Sequence, residues 1–93
     1  MHLLLEYELA DDYLARRAAL REEHLALARA AHERGELLLA GALPDPHDRA
    51  LLVWTADRAV VERFAAADPY VVHGLVTGWS VRPWDVVVGG GPA

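Results

Sequence analysis

The chain contains no cysteine, lysine, isoleucine, asparagine or glutamine, and only one methionine and one phenylalanine among its 93 residues. Without cysteine there is no disulfide framework and no thiolate chemistry, and nothing marks an oxidising compartment. Without lysine, all nine basic residues are arginine, a bias that reads as the codon usage of a GC-rich genome. No run of about 18 apolar residues occurs, so no membrane-spanning helix is expected. Basic charge is also short, since 14 acidic residues leave a formal net charge of −5. No arginine cluster interleaved with aromatics is visible, which removes the electrostatic basis for nucleic-acid binding. The acidic balance likewise disfavours anionic membrane surfaces. The opening MHLLLEYEL lacks a basic n-region and a small-residue cleavage site, so it does not read as a signal peptide, and a cytoplasmic location is expected.

What is present is a globular composition, 54% hydrophobic and 25% charged, far from that of disordered chains. Ninety-three residues lie near the lower end of what folds on one core. A single domain over residues 1–88 is expected, with GGGPA at 89–93 as a flexible tail. At this size, a sheet face left bare by one chain needs a second chain to bury it, so a dimer is expected.

The order of elements follows from periodicity and punctuation. HLLLEYEL (2–9) reads as a strand with Leu3, Leu5 and Tyr7 on one face and Leu4 on the other. Residues 12–34, rich in Ala, Leu, Arg and Glu, read as a helix interrupted around Ala19 to Arg21, where the apolar stripe changes phase. Gly35 suits a left-handed C-terminal cap. ELLLAGAL (36–43) and ALLVWTA (50–56) read as strands joined by the turn PDPHDR. Asp57 can cap a helix over 58–67 whose buried stripe is Val60, Val61 and Phe64. After the break DPYVVHG, residues 75–88 read as a long last strand. The resulting β-α-β-β-α-β order is the ferredoxin-like α+β pattern, an antiparallel sheet with both helices on one face. Alternating Leu, Val and Trp on the strands suggest that a second subunit's sheet covers the other face.

Few residues have chemistry to offer. His24 lies mid-helix on one face with Leu20, Leu27 and Ala31, so it is either a core histidine with a partner or a functional group at a pocket wall. Asp68 stops a helix before Pro69, and its carboxylate also has a geometric route across to the first helix. An imidazole needs an acceptor on one nitrogen to set its tautomer and raise the basicity of the other, and a buried aspartate supplies that. Arg21, one turn before His24, can hold a carboxylate or phenolate, or form a surface salt bridge with Glu22 or a neighbouring acid. Tyr70 lines a pocket or simply packs, and His73 falls at the pocket rim. His47 and His2 are expected in solvent. His24 and His32 are eight residues apart, too far for one ion, and H-E-x-x-H is absent, so no metal is expected. Trp54, Trp79 and Trp84 belong to the core or to a dimer interface.

R-x-x-H-L at Arg21 to Leu25, G-x-L-L-x-A-G at Gly35 to Gly41, A-D-P-Y at Ala67 to Tyr70 with Gly74 following, and WSVRPW at 79–84 together resemble the YCII-related (YciI-like) family. The resemblance spans roughly residues 2–86 and rests on the order and spacing of these motifs. It implies a dimeric α/β-barrel type of assembly and an active site made of a His-Asp pair, which falls on His24 and Asp68. It further implies cofactor-free proton transfer of the lyase or isomerase kind on small aromatic or enolisable molecules. His24 would then act as general base or acid and Asp68 would orient it, with Arg21, Tyr70 and His73 around the substrate. Two other readings accompany this one: a non-catalytic ligand-binding or regulatory domain, and an accessory partner of a larger enzyme. The enzyme reading requires His24 and Asp68 within hydrogen-bond reach at the wall of an open cavity.

Overall fold

The computed structural model describes residues 1–89. The described chain runs β1 (His2–Leu9), α1 (Tyr13–Arg16), a 3₁₀ turn (Arg17–Ala19), α2 (Arg21–Glu33), β2 (Leu37–Leu43), β3 (Arg49–Trp54), α3 (Arg58–Ala67), α4 (Pro69–Val72) and β4 (Val76–Trp84). The four strands form one antiparallel sheet in the order β2-β3-β1-β4. This is the ferredoxin-like α+β topology expected from the order of elements.

Register divides the sheet into two unlike faces. Leu3, Leu5 and Tyr7 stand opposite Trp54, Leu52 and Ala50 on β3. Leu3, Leu5, Tyr7, Leu52 and Trp54 enter one core with Ala28 and Ala31 of α2, Val61, Phe64 and Ala65 of α3, and Tyr70. Alanine dominates the inward side of α2, which lets that helix lie close on the sheet. Trp54 is fully buried and meets Phe64 edge-on at 4.9 Å between ring centres. The opposite face carries Leu4 and Glu6, paired across the ladder with Val53 and Leu51 of β3. Leu39, Gly41 and Leu43 of β2 lie beyond them. Leu39 and Leu43 are exposed there.

Several local expectations are met and several are amended. The first helix does break near residue 20: α1 ends at Arg16, a 3₁₀ turn follows, and α2 restarts at Arg21. Gly35 has φ +79° and ends α2 in the left-handed region that glycine enters at little cost. Asp57 occupies the N-cap position of α3, but its side chain makes no capping bond; its carbonyl accepts from Val60 and Val61. The last strand stops at Trp84 rather than 88, because its partner β1 begins at His2, directly opposite Trp84, and no ladder remains beyond it. The same pairing explains why His2 is buried rather than solvated. Trp79 and Trp84 are partly exposed on β4, so of the two places expected for them the core is excluded. Of the expected tail only Gly89 falls within the described residues. None of the described helices is long and apolar enough to cross a membrane.

Leu5 is fully enclosed between the helices and the centre of the sheet. Leu5→Ala is expected to cost about 2–5 kcal/mol of unfolding free energy, measured by urea denaturation. A loss well under about 1 kcal/mol would mean that the site collapses around the missing methyls.

Candidate active site

The stretch AAADPYVVHG is a junction of two helices. Asp68 ends α3, with its amide donating to the Phe64 carbonyl, and takes an extended backbone conformation (φ −64°, ψ 122°). The same residue then starts α4. Its carboxylate accepts from the Tyr70 amide at 3.0 Å, and Pro69 fills the first helical position, where a missing N–H costs nothing. The aspartate-proline pair thus restarts a helical turn as well as ending one, and this second turn brings Tyr70 back under α2.

Asp68 is completely buried, and its charge is met from three directions. The Tyr7 hydroxyl on β1 donates to Oδ2 at 2.8 Å. The Tyr70 amide donates to Oδ1, and Nδ1 of His24 on α2 lies 2.9 Å from Oδ1 and 3.0 Å from Oδ2. Carboxylate oxygens only accept, so Nδ1 carries the proton, and a neutral imidazole then keeps its lone pair on Nε2. Among the described residues Nε2 has no hydrogen-bond partner. The ring is held flat as well: it stacks on Tyr70 with centroids 3.9 Å apart and an interplanar angle of 7°. Both faces of the geometric problem, tautomer and ring plane, are therefore set by neighbours.

The His24 side chain is 14% exposed, and it lines a pocket of about 390 Å³ between α2 and the sheet. One wall is a run of rings. Tyr70, beside His24, meets Tyr13 edge-on at 5.8 Å, and His47 lies over Tyr13 at 6.4 Å. Arg17 places its guanidinium 5.6 Å from the Tyr13 ring centre. Tyr7, Arg21, Arg29, His32 and Leu52 complete the chemically distinctive part of the lining.

Burial pushes the Tyr70 phenol above its ordinary value, reinforced by Tyr13 and partly offset by the positive charges of Arg21 and Arg17. Tyr7 is driven far higher still, by burial first and then by the charge and hydrogen bond of Asp68. Tyr7 therefore stays an O–H donor wherever the protein is folded.

The structure brings His24, Asp68, Tyr70 and Arg21 to one place. It does not bring His73 there: that side chain is exposed and lies outside the pocket lining, and its carbonyl accepts from Arg16 at 2.7 Å. Arg21 shows no ion pair with Glu22 or any other described acid. His47, expected in solvent, is half-buried against Tyr13. Sequence reasoning missed Tyr7, Tyr13 and Arg17. For Tyr7 a signal existed, since strand alternation aims it at the helices, and an inward phenol on an apolar face needs a partner. Its partner lies 61 residues away, and no local pattern names it. Tyr13 opens the short helix before the break and Arg17 is the first residue of the 3₁₀ turn that makes it, so their place in the pocket depends on how that turn is packed rather than on any local pattern.

Tyr7 supplies a test of the clamp on Asp68. The unfolded phenol ionises near 10.0 while the folded one stays protonated. Its contribution is full below that pH and is lost above it, as the unfolded state releases a proton the folded state keeps. Tyr7→Phe is expected to lose about 1–3 kcal/mol near neutral pH, by leaving a buried acceptor unmet. Its stability should then fall less steeply above pH 10 than that of the unaltered chain, in denaturant titrations at both pH values. Equal steepness would show that Tyr7 is not held as a phenol.

Comparison with known proteins agrees with this architecture. The YCII-related domain matches residues 1–85. The protein YciI of Escherichia coli O6:H1 is 34% identical over 86 residues, covering 82% of this chain and 88% of that protein. YciI of Shigella flexneri matches to the same extent. Among solved structures, 5-chloro-2-hydroxyhydroquinone dehydrochlorinase from Burkholderia phenoliruptrix AC1100, in complex with 2,5-dihydroxybenzoquinone, superposes with a TM-score of 0.76. It shares 19% identity, with 91% of this chain and 94% of that chain covered, so the likeness is one of fold. By its match along nearly the whole length and its identity to YciI, the chain belongs to the YCII-related family.

Proposed function

We propose that this protein is a cofactor-independent enzyme that moves a proton on a small aromatic or enolisable substrate, with His24 as the acid-base group and Asp68 as its orienting partner. The observation that carries the reading is the tautomer-setting contact of His24 Nδ1 with a fully buried carboxylate, while Nε2, at a pocket wall, has no hydrogen-bond partner among the described residues. In the proposed step the Nε2 lone pair takes a proton from an acidic carbon, and the C–H electron pair moves into an enolate. The imidazolium so formed is stabilised by Asp68, as in other histidine-carboxylate pairs. Return of the proton at another carbon gives an isomerase; departure of an anionic leaving group gives a lyase. The ring-lined wall suits a planar substrate. The structural neighbour's dehydrochlorinase activity on a hydroxyhydroquinone is chemistry of this class.

We further propose that a second copy covers the open sheet face. Leu4, Leu39, Leu43 and Leu51 share that face, no described helix packs on it, and a chain this small gains from burying it. Light scattering is expected to give about twice the 10.2 kDa chain mass. Leu39→Glu with Leu51→Glu should return it to one chain; an unaltered mass in that variant excludes this face as the interface.

For the catalytic reading, phenols, lactones and hydroxyquinones, 2,5-dihydroxybenzoquinone among them, are incubated in deuterated water and followed by NMR for exchange at carbon. His24→Ala is expected to lower the exchange rate of a responsive compound by about 10²–10⁴-fold. Asp68→Asn should slow it as well, while circular dichroism reports an intact fold. Exchange that proceeds equally in His24→Ala removes His24 from the chemistry. Binding without any exchange favours a ligand-binding domain instead.

A further inference from the structure

Charge is unevenly placed in this acidic chain. Net charge is −5, yet the pocket beside His24 is lined by Arg17, Arg21 and Arg29 with His24, His32 and His47, and by no Asp or Glu among the described residues. Elsewhere Arg16, Arg34, Arg49 and Arg58 each sit 2.8 to 4.0 Å from a carboxylate, and only Arg63 and Arg82 show no ion pair among the described residues. The three pocket arginines have no such partner among the described residues, and Arg17 lies against the Tyr13 ring instead. The carboxylate behind this wall, Asp68, is sealed from it, with both oxygens already engaged by Tyr7, Tyr70 and His24. Three unmatched guanidinium groups around one concavity repel one another, and an anion entering between them relieves that repulsion.

A second observation points the same way. Tyr70 is 3% exposed, and its hydroxyl is buried beside Arg21, whose guanidinium can only donate to it, so its own O–H meets no acceptor among the described residues. A buried donor left unmet is destabilising and calls for a partner; Trp54 Nε1 is the other such donor among the described residues, but it lies in the core, whereas Tyr70 lines the pocket. His32 adds one more donor-acceptor position. Its Nδ1 lies 2.7 Å from the Leu37 carbonyl, which holds Nδ1 protonated and leaves Nε2 as its other polar atom.

We propose that the pocket is an organic-anion site, in which Arg21 and Arg17 grip a planar carboxylate, or an ionised enol of the same shape, next to Tyr70. Planar guanidinium forks match a carboxylate or enolate edge, and the adjoining rings hold the body of a flat ligand. The proposal deepens the proton-transfer reading by naming its substrate class, and it rests on that reading only for the position of the reacting carbon at His24 Nε2. In that position the arginines also stabilise the negative charge that develops as the proton leaves.

The test is calorimetric titration with 4-hydroxybenzoate, its neutral analogue 4-hydroxybenzamide, and inorganic phosphate. The unaltered protein is expected to bind the carboxylate about 10-fold or more tightly than the amide, and more tightly than phosphate, with affinity falling as salt is raised. Arg21→Met and Arg17→Met should each weaken carboxylate binding about 10-fold and leave amide binding within about two-fold. Arg21→Lys should fall between, because lysine keeps the charge and loses the fork. Arg21 is exposed, so its variants should fold, and thermal melts check this. Equal affinity for carboxylate and amide overturns the proposal, as does a preference that survives both Met variants. Phosphate binding as tightly as the benzoate, or no binding by any of the three, overturns it too. Carboxylate preference without carbon exchange leaves this site standing and removes the proton-transfer reading. Exchange on neutral phenols without carboxylate preference does the reverse.

Discussion

A single buried carboxylate ties the layers of this protein together. Asp68 sits at the junction of α3 and α4, with no solvent exposure, and reaches β1 through Tyr7 and α2 through His24. An unpaired charge in such a place would cost several kcal/mol, more than a typical contact returns. The cost is offset because three donors converge on two oxygens, one from the sheet, one from the opposite helix and one from the turn that Asp68 itself begins. Each donor then has its own geometry restricted in return. The imidazole loses its choice of tautomer, the phenol loses its ability to ionise, and α4 gains its first hydrogen bond. Helix placement and side-chain chemistry at this point are one arrangement.

The pocket wall shows a division of charge that follows from this burial. The negative group is hidden behind His24, where it acts only through the imidazole, while the positive groups face the cavity. A carboxylate lining the same cavity would pair with Arg17 or Arg21 and neutralise them. Keeping the acid one layer back leaves the arginines free and still sets the histidine. The stacked rings of His24 and Tyr70, continued by Tyr13 and His47, insulate the two layers from each other. The pocket is flanked by β2 at the edge of the sheet, and it reaches the loop carrying His47.

Much of the fold was legible in the chain because its signals are local. Alternation in HLLLEYEL, glycine at 35, and the apolar spacing of Val60, Val61 and Phe64 each need only a few neighbouring residues to be read. The break near Leu20 was visible in the same way, as a change of phase in one stripe. Where local reading overshot, at residues 85–88, the valines are as β-prone as those before them, but β1 has no residues left to pair with. His2 was misjudged for the complementary reason: a terminal position says nothing about the strand lying opposite. Of the candidate site, His24 and Asp68 stood out as polar groups in apolar or helix-ending contexts, and the family resemblance joined them.

The sequence by itself determined the element order, the faces of the strands and helices, and which residues had chemistry to offer, since these depend on periodicity and side-chain type. Only the tertiary structure decided who meets whom. It paired Tyr7 with a carboxylate 61 positions on, turned Arg17 and Tyr13 into the pocket, and left His73 outside it. Those outcomes depend on strand register and on the angle at which one helical turn follows another. No short stretch of chain encodes either, because both are set by how the whole core packs.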